Sequence, residues 1–197
     1  MNKKLFLSFL LAPAFYFLNA QTTKFDTTLK MGDVGYRILC SNKKTDHNDV
    51  TIRLIGFKDY NHDLNVSVIG TLHKALIDDF NDDDNPDLVF YSFDDNQIAE
   101  VYAMASVNNK SYGPIYMADI FINPKLREGY QGHDEFSAMG GYLIRKYPIY
   151  QTDSTTKTAT VIGTRVVEYK AKPNLENPNP DRPTYKFEVF KSYDLKQ

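Results

Sequence analysis

The chain has 197 residues and a net charge of −2, with 23 basic against 25 acidic side chains. That balance argues against nucleic acid as partner, because phosphate binding wants a basic face. The single cysteine, Cys40, allows no internal disulfide, and 14 Tyr with 13 Phe but no Trp suit half-buried strands.

Residues 1–20 read as a secretory signal peptide. Lys3 and Lys4 form a positive start, residues 5–18 are mostly apolar, and the small Ala20 precedes Gln21. The apolar run of about fourteen residues falls short of the roughly twenty that a membrane span needs. The reading is therefore cleavage before Gln21 and a periplasmic or secreted product with no membrane attachment. Residues 21–197 are long enough for a single domain with a real core. Cys40 ends the run Tyr36-Arg37-Ile38-Leu39-Cys40 and reads as a small buried hydrophobe. Without disulfides, such an exported chain is stabilised by its size, its packing or a metal.

Beyond residue 20 no apolar period of 3.6 residues lasts longer than two turns. Short alternating runs recur at residues 49–57, 64–77, 88–93, 98–107, 114–122, 142–150, 158–172 and 184–190, and residues 21–70 as a whole read as further strands. In the first run Val50, Ile52 and Leu54 share one face and Thr51 and Arg53 the other. Gly140-Gly141 is a two-residue hairpin turn, and residues 108–113 form a longer hairpin loop. Asn123-Pro124 opens a short helical turn. Residues 173–183, with Pro173, Pro178, Pro180 and Pro183, read as a surface loop that cannot pair as a strand. The fold class is all-β: an antiparallel β-sandwich, or flattened barrel, of about eight to ten strands.

The densest chemistry lies at residues 78–87, where six carboxylates crowd together with no Lys or Arg among them. Asp79, Asn81, Asp83, Asn85 and Asp87 follow the alternating spacing with which a tight loop wraps oxygens around Ca²⁺. Position twelve from Asp79 is Phe90 rather than a bidentate Glu, and position six is Asp84 rather than Gly, so the turn is not an EF-hand. Asp79, Asn81, Asp83, Pro86 and Asp87 resemble the D-x-N-x-D-x-x-P-D calcium turn of FG-GAP repeats. A single copy with no repeat argues against a propeller. The expected role is a structural Ca²⁺ staple; a solvated turn held by Asx hydrogen bonds is the alternative.

His133, Asp134 and Glu135 stand side by side within Gly129-Tyr130-Gln131-Gly132-His133-Asp134-Glu135-Phe136. Neighbours on a strand point to opposite faces, so the three do not converge readily on one ion or one proton. A polar turn that fixes a loop is the better reading, and no nucleophile or zinc motif appears elsewhere. The chain reads as a non-enzyme.

Taken together, four segments resemble the periplasmic inhibitors of invertebrate-type (I-type) lysozymes. They are the acidic turn at residues 79–87, Ser111-Tyr112-Gly113, the G-Y-x-G-H-D-x-F motif on Tyr130, Gly132, His133, Asp134 and Phe136, and Leu143-Ile144-Arg145-Lys146-Tyr147-Pro148-Ile149-Tyr150. Gly163-Thr164-Arg165, leading into Val166-Val167-Glu168-Tyr169, matches in character, and the resemblance spans residues 75–170. It implies a β-sandwich that pushes a loop into a lysozyme cleft. The family's S-G-x-x-Y loop falls on Asn108, Asn109, Lys110, Ser111 and Tyr112, with Asn at the first two positions and Tyr112 matching. Lysozyme clefts work with paired carboxyl groups, to which Lys110 and Ser111 could offer donors. The rival reading is a non-catalytic, calcium-stabilised surface or glycan-binding module whose tyrosines stack on sugar rings.

Overall fold

The structure, a computed structural model, describes residues 24–176 and 183–196. The signal-peptide segment and residues 177–182 of the proline-rich loop lie outside the described residues. Within them the protein is nearly all β, as the alternating runs predict, with twelve strands where about eight to ten are expected.

Strands β1 (Phe25–Met31), β2 (Val34–Cys40), β3 (His47–Ile55) and β4 (Leu64–Ile69) form an antiparallel four-stranded sheet in that order. Strands β5 (Thr71–Asp78), β6 (Asp87–Phe93), β7 (Ala99–Val107) and β8 (Ser111–Tyr116) start a second sheet. It is completed by β9 (Glu135–Met139), β10 (Tyr142–Thr152), β11 (Ala159–Pro173) and β12 (Tyr185–Lys196), in the order β5-β6-β7-β8-β12-β11-β10-β9. All of its pairings are antiparallel except β8 with β12, which run parallel over a two-residue contact. The eight strands nearly close into a barrel. The seam between β5 and β9 is bridged where Lys74 Nζ donates to the Phe136 carbonyl at 3.2 Å.

The continuous apolar run Leu88-Val89-Phe90-Tyr91 is explained by its place. A strand covered on both faces has no solvent side to keep polar. Val89 and Tyr91 point into the barrel, among Phe80, Phe136, Leu143, Tyr147, Val167 and Phe187. Leu88 and Phe90 point outward, under the four-stranded sheet, where they meet Tyr36, Ile38, Val50, Ile52 and Val68. β6 is thus the layer shared by two cores, and the molecule is a small sheet stacked on one flank of a barrel. Cys40 belongs to the second core, as its apolar run predicts.

Three boundaries differ from the sequence reading. The run at residues 64–77 is not one strand: Gly70, at φ 72°, turns the chain from β4 to β5 and so from one sheet to the other. A Cβ at Gly70 would lie 1.7 Å from the Phe93 carbonyl oxygen, so no other residue fits there. The run at residues 114–122 ends as a strand at Tyr116; Ile120–Ile122 is a 3-10 turn capped by the Asp119 carboxylate, which accepts from the Phe121 amide. The helical turn after Asn123 is α1 (Pro124–Arg127), capped by the Asn123 side chain. Finally, Pro173 does close a strand, pairing with Tyr185 at the end of β11. The Gly140-Gly141 turn is as predicted, with both residues at positive φ between Met139 and Tyr142.

Candidate functional site

The predicted hairpin loop connects β7 to β8, and its turn is made by Asn108 and Asn109 at φ 54° and 52°. Asn tolerates this left-handed region better than most residues, which is why two Asn can replace the usual Gly. The tip does not stand free of the body. The Lys58 amide donates to the Asn109 carbonyl at 3.0 Å, and the Ser106 hydroxyl donates to Asn109 Oδ1 at 3.0 Å. The Tyr112 ring meets Tyr60 edge-on at 5.3 Å, with the two hydroxyls 3.4 Å apart. Asn108 and Lys110 are exposed, while Asn109, Ser111 and Tyr112 are half-buried. The five residues singled out by the sequence are therefore brought together, but only Asn108 and Lys110 point fully into solvent. Lys58 and Tyr60, which hold the tip, were not legible, because they belong to a loop of the other sheet.

The acidic turn lies between β5 and β6. Asp79 accepts from the amides of Asp83 and Asp84 at 3.0 and 2.8 Å, and Asp83 accepts from the Asn85 amide at 2.9 Å. Asp82 and Asp84 take positive φ, of 60° and 62°. These are Asx hydrogen bonds, and they fix the turn locally. Asn81 Nδ2 donates to Asp83 Oδ2 at 3.0 Å, whereas Asn81 Oδ1 is buried with no hydrogen-bond partner among the described residues. Asn85 Nδ2 donates back to the Asp83 carbonyl. Among the described residues, no three His, Cys, Asp or Glu side chains converge as a metal-holding group. Among the described residues, one ion pair reaches the turn: Lys170 Nζ lies 2.6 Å from Asp82 Oδ1, and it also donates to the Gly141 carbonyl.

Asp87 is placed differently from the rest of the set. Its carboxyl is fully buried, with Oδ2 accepting from the Phe80 amide at 2.9 Å and Oδ1 from the Ser106 amide at 3.0 Å. Burial pushes the group up to about 8, against the Ser106 and Phe80 amides, and the charges of Asp83 and Asp79 act in the same direction as burial. Asp87 therefore ties the turn to β7. Through Ser106 it also reaches Asn109, so the acidic turn and the hairpin tip share one chain of hydrogen bonds.

The Tyr130–Phe136 motif is an internal fastening. Asp134 accepts from Arg145 Nε at 2.6 Å and from the Tyr130 hydroxyl at 2.5 Å, while Arg145 also donates to that hydroxyl at 3.0 Å. The guanidinium lies 5.2, 5.4 and 5.6 Å from the ring centres of Tyr130, Phe136 and Tyr147. Burial opposes the Arg145 charge, but the Asp134 carboxylate outweighs it and holds the arginine pKa above its usual value. Gly132, at φ 83°, has no room for a side chain, since a Cβ there would lie 2.4 Å from the Gln97 carbonyl oxygen. His133, at φ 63°, is exposed and points away from the network, with its amide donating to the Gln97 carbonyl. Asp134 thus serves Arg145 and Tyr130 rather than His133, and the structure does not assemble a His–Asp pair. Arg145 is read from the sequence only as part of a strand and is not paired there with Asp134, although its position between Leu143 and Tyr147 on one strand face is the available signal.

A separate apolar groove of about 350 Å³ opens beside β4, lined by Val66, Phe90, Tyr102, Met104, Tyr112 and Tyr116. Set against known proteins, the chain matches no family model, no curated protein and no solved structure.

Proposed function

We propose that the protein is an exported, non-catalytic inhibitor of an I-type-like lysozyme that presents the β7–β8 hairpin to the enzyme cleft. The observation that carries this reading is the tip itself: exposed Asn108 and Lys110 on a turn anchored by the Lys58 amide and the Ser106 hydroxyl. A rigid support reduces the ordering cost of binding, and an ammonium group beside amide donors suits a cleft that holds two carboxyl groups. Residues 21–197, purified, should slow an I-type lysozyme. Lys110→Ala should weaken inhibition by about tenfold, the expected effect of losing one charge-assisted contact. Tyr112→Ala should weaken it further by loosening the tip. No slowing of invertebrate-, chicken- or goose-type enzymes would remove the reading.

A second reading has its own support in the apolar groove, whose Tyr102, Tyr112 and Tyr116 offer ring faces to a sugar. Glycan binding without lysozyme inhibition would favour this surface module.

The proposal also gives the acidic turn a Ca²⁺ ion, held by Asp79, Asn81 and Asp83 from the turn and acting as a fastener. The crowded carboxylates and the buried Asn81 Oδ1 support it. The expected result is a melting temperature that rises with added Ca²⁺ and loses that response in Asp83→Ala. An identical melting curve in chelator and in millimolar Ca²⁺ would leave the turn to its Asx bonds alone.

A further inference from the structure

We infer that the partner-binding surface is composite: the loop following β3 in the four-stranded sheet contributes Lys58, Tyr60 and His62 beside Asn108 and Lys110. The inference rests on the proposed inhibitory reading and enlarges its site. Two sheets meet at this point. The Lys58 amide is bonded to the Asn109 carbonyl at 3.0 Å, so the backbones of the two loops touch at the tip. Behind them His62, Tyr60 and Tyr112 form a row of edge-on rings, with centroids 5.0 and 5.3 Å apart.

The side chains of Lys58 and Lys110 are both exposed, and neither makes an ion pair among the described residues. The loop, residues 56–63, carries two acidic residues: Asp59, and Asp63, which pairs with Arg53 on β3 at 2.8 Å. Two ammonium groups on adjoining loops, backed by aromatic rings, present paired cations on a stiff base. That surface fits a protein cleft carrying paired carboxylates, where complementary charge speeds encounter and fixes register. A single hairpin tip would supply one cation; the composite surface supplies two, from sequence positions 52 residues apart.

The test is an inhibition titration of an I-type lysozyme with residues 21–197 carrying Lys58→Ala, His62→Ala, Lys110→Ala or, as a control on β1, Lys30→Ala, each checked for an unchanged melting temperature. The composite surface predicts that Lys58→Ala weakens inhibition about tenfold, as Lys110→Ala does, with a shallower salt dependence in both. His62→Ala should have a smaller effect in the same direction, and Lys30→Ala none. Wild-type inhibition in Lys58→Ala and His62→Ala alongside a loss in Lys110→Ala would overturn the composite surface and leave the hairpin reading standing. A wild-type protein that does not slow the enzyme would overturn both.

Discussion

Arg145→Ala is expected to destabilise the protein by roughly 3–5 kcal/mol, the cost of leaving a buried charge without its partner. Asp134 would remain in the barrel with only the Tyr130 hydroxyl and the Ala99 amide as donors. Three rings would lose the flat cation packed between them. The loss is large against the 5–15 kcal/mol that holds a typical domain folded, and it is read as a fall in the urea midpoint at unchanged slope. Asp134→Leu combined with Arg145→Met removes both charges and should recover most of it, since a buried pair replaced by apolar groups is often close to neutral. A double variant no more stable than Arg145→Ala would show that the ion pair is not what fastens the Tyr130–Phe136 segment to β10.

Asp87→Ala is the second large effect. It strips the acceptor from two buried amides, Phe80 and Ser106. Each unsatisfied donor costs about 1–3 kcal/mol, so a loss of around 3 kcal/mol is expected. The substitution should also reach the hairpin. Ser106 donates its hydroxyl to Asn109, and a loosened Ser106 frees the turn that presents Lys110. Limited trypsin digestion reads this directly: cleavage after Lys110 should speed up in Asp87→Ala, and Ser106→Ala should reproduce the effect with a smaller cost in stability. Cleavage after Lys110 at the wild-type rate in both variants would uncouple the acidic turn from the tip.

The parts of the fold that depend on nearest neighbours along the chain were legible before the structure. Alternation at residues 49–57 placed Val50 and Ile52 on the buried face of β3, and Gly140-Gly141 announced its hairpin. What escaped depends on contacts made elsewhere. Nothing local to residues 64–77 reveals that Gly70 carries the chain between sheets, because the obstacle to a side chain there is the Phe93 carbonyl on β6. Asp87 has the spacing of a ligand in sequence, yet its oxygens serve amides at positions 80 and 106. Asp134 sits beside His133 in the chain, but its partner is Arg145, on the neighbouring strand. The tip residues 108–112 were marked by turn chemistry and resemblance, whereas the residues that brace them, Lys58 and Tyr60, come from another sheet.

The most direct measurement of the blocking claim is a competition titration. Binding of residues 21–197 to an I-type lysozyme is followed with the enzyme cleft either empty or filled by a chitin oligosaccharide. If the hairpin tip enters the cleft, saturating sugar raises the apparent dissociation constant in proportion to its own occupancy. Unaltered affinity on a sugar-filled enzyme would place the contact away from the cleft and contradict the account.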